Sequence, residues 1–147
     1  MLHLDSSFKL FLIIVNDLSI AVQDCNFVYG TSARTRSVKW DTVTPKNLTD
    51  ELKTISCNNA NYKIAIVFGA ERTGLTNEQL QICQKQIIIP TSIEFSVLNL
   101  AQALQIICYE LQVVFGESKS LSHYNGLTIE QPATQQQRDD FYQKITT

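Results

Sequence analysis

The segment from Lys63 to Pro90 constrains the fold more than any other part of the chain. Two short apolar runs, "KIAIVFG" (Lys63 to Gly69) and "QIIIP" (Gln86 to Pro90), flank the stretch "TNEQLQICQ". Within that stretch Thr76 and Gln79 supply the T-x-x-Q capping box that opens a helix. The flanking runs are apolar at nearly every position, the pattern of strands buried on both faces in a parallel sheet. Strand, helix and strand in about 25 residues make a βαβ unit with the usual right-handed crossover. "NFVYG" (Asn26 to Gly30) reads as a further buried strand, and "LFLIIV" (Leu10 to Val15) as a fourth core strand.

From Ser96 the pattern becomes helical. Leu100, Ala103, Leu104, Ile107, Cys108 and Leu111 recur at helical spacing. An arc this wide predicts a helix covered on most sides, by the sheet and by a partner subunit. Beyond Phe115 the composition turns polar and reads as a surface linker, and "PATQQQRDDFYQKI" seeds a short helix from Thr134. The expected organisation is an α/β domain over 1–116, followed by a linker and the start of a helical extension over 117–147.

Hydrophobic content of 44% with 18% charged residues suits a globular chain with a core. A net charge of -2 gives no global attraction to nucleic acid, so any RNA contact must come from a local basic patch. The four cysteines contain no C-x-x-C pair and the two histidines are isolated, which argues against a metal site. Three of the four cysteines, set among apolar or helix-forming residues, read instead as buried free thiols in a reducing cytosol. "LFLIIV" is too short to span a bilayer and lacks the marks of a signal peptide, so no membrane association is expected.

Three loops follow the three central strands: "TSARTR" (Thr31 to Arg36), "GAERTG" (Gly69 to Gly74) and "PTSIEFSVLN" (Pro90 to Asn99). In parallel sheets ligands gather outside the carboxyl ends of the strands, so these loops converge if their strands are neighbours. "GAERTGLT" resembles a phosphate-binding loop but has Leu75 where that loop carries lysine, which excludes a grip on a triphosphate. Gly69 and Gly74 read equally as turn glycines and as points of close approach to a ligand. Glu71 and Arg72 read first as a solvated ion pair. Arg34, Arg36 and Lys39, with Trp40 beside them, could supply cations for phosphates and an indole to stack a base, but a solvated charged loop is the ordinary reading of such residues and local charge alone does not overturn it. Ser96 reads as the cap of the long helix, and Asn99, taken to lie inside it, needs a hydrogen-bond partner.

Together, "FVYGTSARTR", "IAIVFGAERTGLTNEQL" and "IIIPTSIEFSVLNLAQAL" resemble the SpoU branch of the SPOUT RNA 2′-O-ribose methyltransferases, and within it the TrmJ type. That type methylates an anticodon-loop ribose of tRNA with S-adenosylmethionine. The resemblance implies an α/β knot fold with a C-terminal trefoil knot, a cytoplasmic homodimer, and an active site at the subunit boundary. It places cofactor contacts on Thr31, Ser32, Ala33, Gly69, Ile89, Ser96, Val97 and Leu98. It places RNA contacts on Arg34, Arg36 and Lys39, and catalytic roles on Arg34, Glu71 and Asn99.

The N-x-G-x-x-x-R motif that the family carries after its first strand is absent, and the residues ahead of Leu10 match the family poorly. The expectation is a domain lacking its first βα unit, about 60 residues short of the usual size, with an apolar edge open to water and a tendency to associate. Two functional readings follow: an enzyme impaired by that loss, and a non-catalytic remnant that binds cofactor or RNA. A plain flavodoxin-like nucleotide-binding domain is a third, and it predicts no knot.

Overall fold

Along β5 (Lys63–Val67) successive side chains enter opposite cores. Ile64 and Ile66 belong to one apolar cluster, Ala65 and Val67 to the other. The two-residue period of a strand requires this split when both faces of a sheet are covered. β5 therefore marks the centre of a three-layer arrangement, which we describe from a computed structural model of residues 1–5, 9–33, 40–58, 61–94, 98–116 and 135–146.

The six-stranded sheet has the order β2-β1-β5-β3-β6-β4, with β1 at Leu2–Asp5, β2 at Leu10–Leu12, β3 at Phe27–Thr31, β4 at Thr42–Val43 and β6 at Lys85–Ile87. β5, β3, β6 and β4 are parallel, as the apolar runs predict. β1 pairs antiparallel with both β5 and β2, so the sheet as a whole is mixed. β6 lies between β3 and β4, the two strands that the chain connects before it reaches β5.

"LFLIIV" is not the core strand that its composition suggests. Only Leu10–Leu12 form a strand, at the edge of the sheet, and Phe11, Leu12, Ile13 and Ile14 are exposed. Apolar character marks a segment that can be buried; whether a second layer reaches it depends on where the helices fall. Here β1, unremarked in the sequence, takes the place beside β5.

One face of the sheet carries α2 (Pro45–Asn58) and α4 (Leu100–Phe115), whose Leu48, Leu52, Ile107 and Leu111 pack with Tyr29, Ile64, Ile66 and Ile87. Each fully buried aliphatic side chain of this kind contributes roughly 1.5–3 kcal/mol. α2 escaped the sequence reading, although its signals are present. Thr44 Oγ1 accepts from Asn47 N, Pro45 occupies the first turn, and Leu48, Leu52 and Ile55 follow at helical spacing. Glu51 on α2 accepts from Tyr29 Oη at 3.2 Å and from Lys85 Nζ at 2.6 Å, pinning the helix to β3 and β6. Burial, with the Glu51 carboxylate beside it, raises the Tyr29 phenol above its ordinary range.

The other face carries α1 (Leu18–Ala21) and α3 (Asn77–Ile82). The expected capping box is present: Gln79 N donates to Thr76 Oγ1 and Thr76 N to Gln79 Oε1. Of the cysteines only Cys83 is buried; Cys25 and Cys108 are half-buried and Cys57 is exposed. The expected burial of most of the thiols is thus corrected.

The chain divides into two units, Met1–Gly116 and Glu117–Thr147. In the second, the short helix expected from Thr134 is α5 (Gln135–Thr146). No described helix is long and apolar enough to cross a membrane.

Candidate active site

The carboxyl ends of β5, β3 and β6 stand side by side and are tied across the sheet. Thr31 Oγ1 donates to the Val67 carbonyl at 3.1 Å, and Ser32 N donates to the Ile87 carbonyl at 3.1 Å. The first link joins β3 to β5 and the second joins β3 to β6. The condition for convergence, that the three strands be neighbours, is met.

After β5 the chain folds into a closed turn. Gly74 N donates to the Ala70 carbonyl at 2.7 Å, and Gly74 adopts φ +67°, a conformation that costs a side chain about 1–2 kcal/mol. A β-carbon on Gly69 would run into the backbone of Gly74 and Leu75. Both glycines are thus required by the turn itself, and both also border the cleft. Leu75, at the place of a phosphate-loop lysine, is only 3% exposed and anchors the turn in the core. It sits over Gly30, where an added β-carbon would lie 3.0 Å from Leu75 Cδ1 and 2.8 Å from Cys83 Sγ. The tightly packed Cys83 thiol is pushed up to about 11 by burial.

These segments line one cleft of about 140 Å³. Of the predicted cofactor residues, Thr31, Ser32, Ala33, Gly69, Ile89 and Leu98 all border it. Glu71 borders it too, on the exposed crest of the turn beside Arg72 and Thr73. Glu71 and Arg72 are not joined in the expected ion pair; the described ion pairs are Lys63–Asp24 and Lys85–Glu51. Phe68, Thr91 and Ala103 also line the cleft and were not predicted as site residues from the sequence. Phe68 was legible as the neighbour of Gly69, and Ala103 as the residue one turn past Leu100 in the helical series.

Asn99 is placed differently from expectation. The long helix begins at Leu100, and Asn99 is its N-cap. Its Oδ1 accepts from Gln102 N at 2.8 Å, while Asn99 N donates to Gln102 Oε1 at 3.1 Å. The partner that a buried amide would have needed is the helix's own first turn. Asn99 is not among the residues lining the cleft, although Leu98 and Leu100 on either side of it are. Arg34, Arg36, Lys39, Ser96 and Val97 lie outside the described residues.

The cleft's described lining holds one carboxylate and one guanidinium amid apolar side chains and strand-end backbone. That chemistry suits a heteroaromatic ring and a sugar, and offers little to a polyphosphate. No group of described residues is arranged to hold a metal ion.

Known proteins share this arrangement. The chain is 44% identical over 101 residues to the tRNA (cytidine/uridine-2′-O-)-methyltransferase TrmJ of Pectobacterium atrosepticum, covering 68% of this chain and 40% of that protein. It spans well under half the length of the curated relatives it matches. A probable methylase family protein from Haemophilus influenzae Rd KW20 superposes with a TM-score of 0.60 at 35% identity, over 90% of this chain and 52% of that one. TrmJ from Z. mobilis ZM4 superposes with a TM-score of 0.57 at 34% identity, over 67% of this chain and 42% of that one. The family model of the SpoU rRNA Methylase family matches residues 1–109, and the strand order, the strand-end cleft and this match together place the chain in that family.

Proposed function

We propose that the cleft at the carboxyl ends of β5, β3 and β6 binds S-adenosylmethionine and serves methyl transfer to a ribose 2′-hydroxyl in a tRNA anticodon loop. One observation carries this reading. The three loops singled out in the sequence, beginning at Thr31, Gly69 and Pro90, all contribute residues to a single cleft. The TrmJ relatives, named for methylation of cytidine and uridine in tRNA, supply the substrate class.

The lining residues fit such a cofactor. Ile89 and Leu98 offer apolar surface to a purine, and the backbone after Thr31 and Phe68 offers hydrogen bonds to its edge and to a ribose. When bound, S-adenosylmethionine supplies an activated methyl group. The chain's task is then to hold a ribose hydroxyl in line with it, and orientation of that kind lowers a barrier by roughly 7–11 kcal/mol in favourable cases. Glu71 is the described carboxylate at the rim and is assigned to orienting the hydroxyl. Arg34, Arg36 and Lys39 are assigned to the RNA backbone, with Arg34 also assigned a part in the catalytic step. Ser96 and Val97 are assigned to the cofactor and Asn99 to the catalytic step. On this reading the protein works in the cytoplasm as a homodimer. The trefoil knot that the family implies belongs, on this reading, to the C-terminal part of the sheet.

The commitment of the Asn99 side-chain oxygen to its helix cap favours a second reading, in which the chain binds cofactor or RNA without turnover. Calorimetric titration with S-adenosylmethionine and its demethylated product, paired with transfer of labelled methyl to unmodified tRNA, separates the two. Binding with transfer supports the enzyme, and binding alone supports the second reading. No heat with either compound at high protein concentration removes both.

A further inference from the structure

The closed turn after β5 carries two charged side chains on its crest, Glu71 and Arg72, and both line the cleft. Both are exposed, and they are not paired with each other. Among the described residues, Lys63 and Lys85 are committed to Asp24 and Glu51, whereas Arg72 enters no ion pair and is the guanidinium of the cleft's described lining. The base beneath the crest is fixed. Gly74 N closes the turn on the Ala70 carbonyl at 2.7 Å, Gly69 meets the Gly74–Leu75 backbone with no room for a side chain, and Leu75 is buried below. The two side chains therefore leave neighbouring points of one closely packed loop, with an acceptor on the first and donors on the second.

A ribonucleotide presents the complementary pair. Its 2′-hydroxyl is a donor, and the phosphodiester on the adjacent 3′ carbon is an anion with acceptor oxygens. A guanidinium fork matches phosphate oxygens two at a time, and a single fork suits one phosphodiester rather than a polyphosphate. A carboxylate accepts from the hydroxyl and repels the phosphate, so the two side chains of the crest sort the two groups between them. A deoxyribose, without the hydroxyl, gives Glu71 nothing to accept. We propose that Arg72 is a substrate-binding residue that holds the 3′-phosphodiester of the nucleotide whose 2′-hydroxyl meets Glu71. This role presupposes that the cleft serves a ribose 2′-hydroxyl, and it adds the contact that sets the register of the RNA.

The test is binding of unmodified tRNA by the full chain over a range of salt concentrations. Arg72→Gln removes the charge and Arg72→Lys keeps it without the fork. Lys53→Gln, at an exposed site on α2 outside the cleft lining, is the control. Arg72→Gln should weaken binding about tenfold. It should also make the slope of log affinity against log salt shallower by about 0.7–1, the signature of one lost phosphate contact. Arg72→Lys should keep the wild-type slope with a smaller loss of affinity, and Lys53→Gln should change neither. In anticodon stem-loop RNAs with one linkage at a time made an uncharged methylphosphonate, one linkage should weaken the wild type but not Arg72→Gln. It should lie directly 3′ of the nucleotide whose 2′-deoxy substitution weakens the wild type but not Glu71→Gln; any other order overturns the proposal. Calorimetric affinity for S-adenosylmethionine should be the same in the wild type and both Arg72 variants. A wild type that binds tRNA and cofactor while Arg72→Gln keeps full affinity and slope overturns the proposal and leaves the cleft's assignment standing. A wild type that binds no cofactor overturns that assignment and the proposal with it. Equal losses in Arg72→Gln and Lys53→Gln, or a wild type that binds no tRNA, also overturn the proposal.

Discussion

Thr31 Oγ1 donates to the main-chain carbonyl of Val67, so a side chain at the end of β3 satisfies the last carbonyl of β5. The bond fixes how far apart the two loops leave the sheet, and with it the mouth of the cleft. Thr31→Val keeps the shape and removes the donor, leaving that carbonyl without this partner. The expected loss is about 0.5–1.5 kcal/mol of stability, read by urea denaturation. Affinity for S-adenosylmethionine should fall as well, since the Thr31 and Gly69 segments are no longer held together.

Gly69 and Gly74 are predicted to differ in severity. Gly74→Ala has open space for a methyl group but must keep φ +67°, so it should cost about 1–2 kcal/mol. Gly69→Ala drives a methyl group into the Gly74–Leu75 backbone, which cannot yield without opening the turn. Its loss of stability should be the larger, and the Leu75 anchor should loosen with it. Thermal melts of the two variants side by side check the order; equal melting temperatures contradict it.

Asn99→Ala removes the acceptor of the α4 capping box and should cost about 1 kcal/mol. Asn99→Asp retains an N-cap oxygen and should melt within about 0.5 kcal/mol of the wild type. If the amide also serves the ribose, as proposed, Asn99→Asp loses methyl transfer while keeping its stability. A variant that is both stable and fully active assigns Asn99 to the helix alone.

Burial of Cys83 sets a pH dependence. Its thiol titrates at about 11 in the folded chain, above its ordinary value of 9.0. The folded state holds the proton where the unfolded chain has lost it. This contribution is intact below about pH 9 and is lost as pH rises towards about 11. Burial raises Cys25 and Cys108 in the same direction. Melting temperatures should decline over that window, and less steeply in Cys83→Ala. At neutral pH a thiol reagent should modify exposed Cys57 first and Cys83 only on unfolding.

The sequence by itself determined the parallel centre of the sheet, because Asn26–Gly30, Lys63–Gly69 and Gln86–Pro90 are too uniformly apolar to be anything but doubly covered strands. It also determined the α3 capping box, since Thr76 and Gln79 interact across one turn and need nothing distant. The placement of Thr31, Gly69 and Ile89 around one cleft followed from those strands being neighbours. What lay beyond local pattern was decided in three dimensions. "LFLIIV" became an exposed edge because β1, four residues with weak signal, pairs with β5 and leaves no covering layer for β2. Asn99 became a cap because the helix starts only at Leu100. Gly69 of the central turn proved to be demanded by backbone meeting backbone, a contact between residues five apart that no periodicity records, and Gly74 by its φ of +67°. Hydrophobic periodicity reports what a segment can bury; pairing partners and steric closure decide what it does bury.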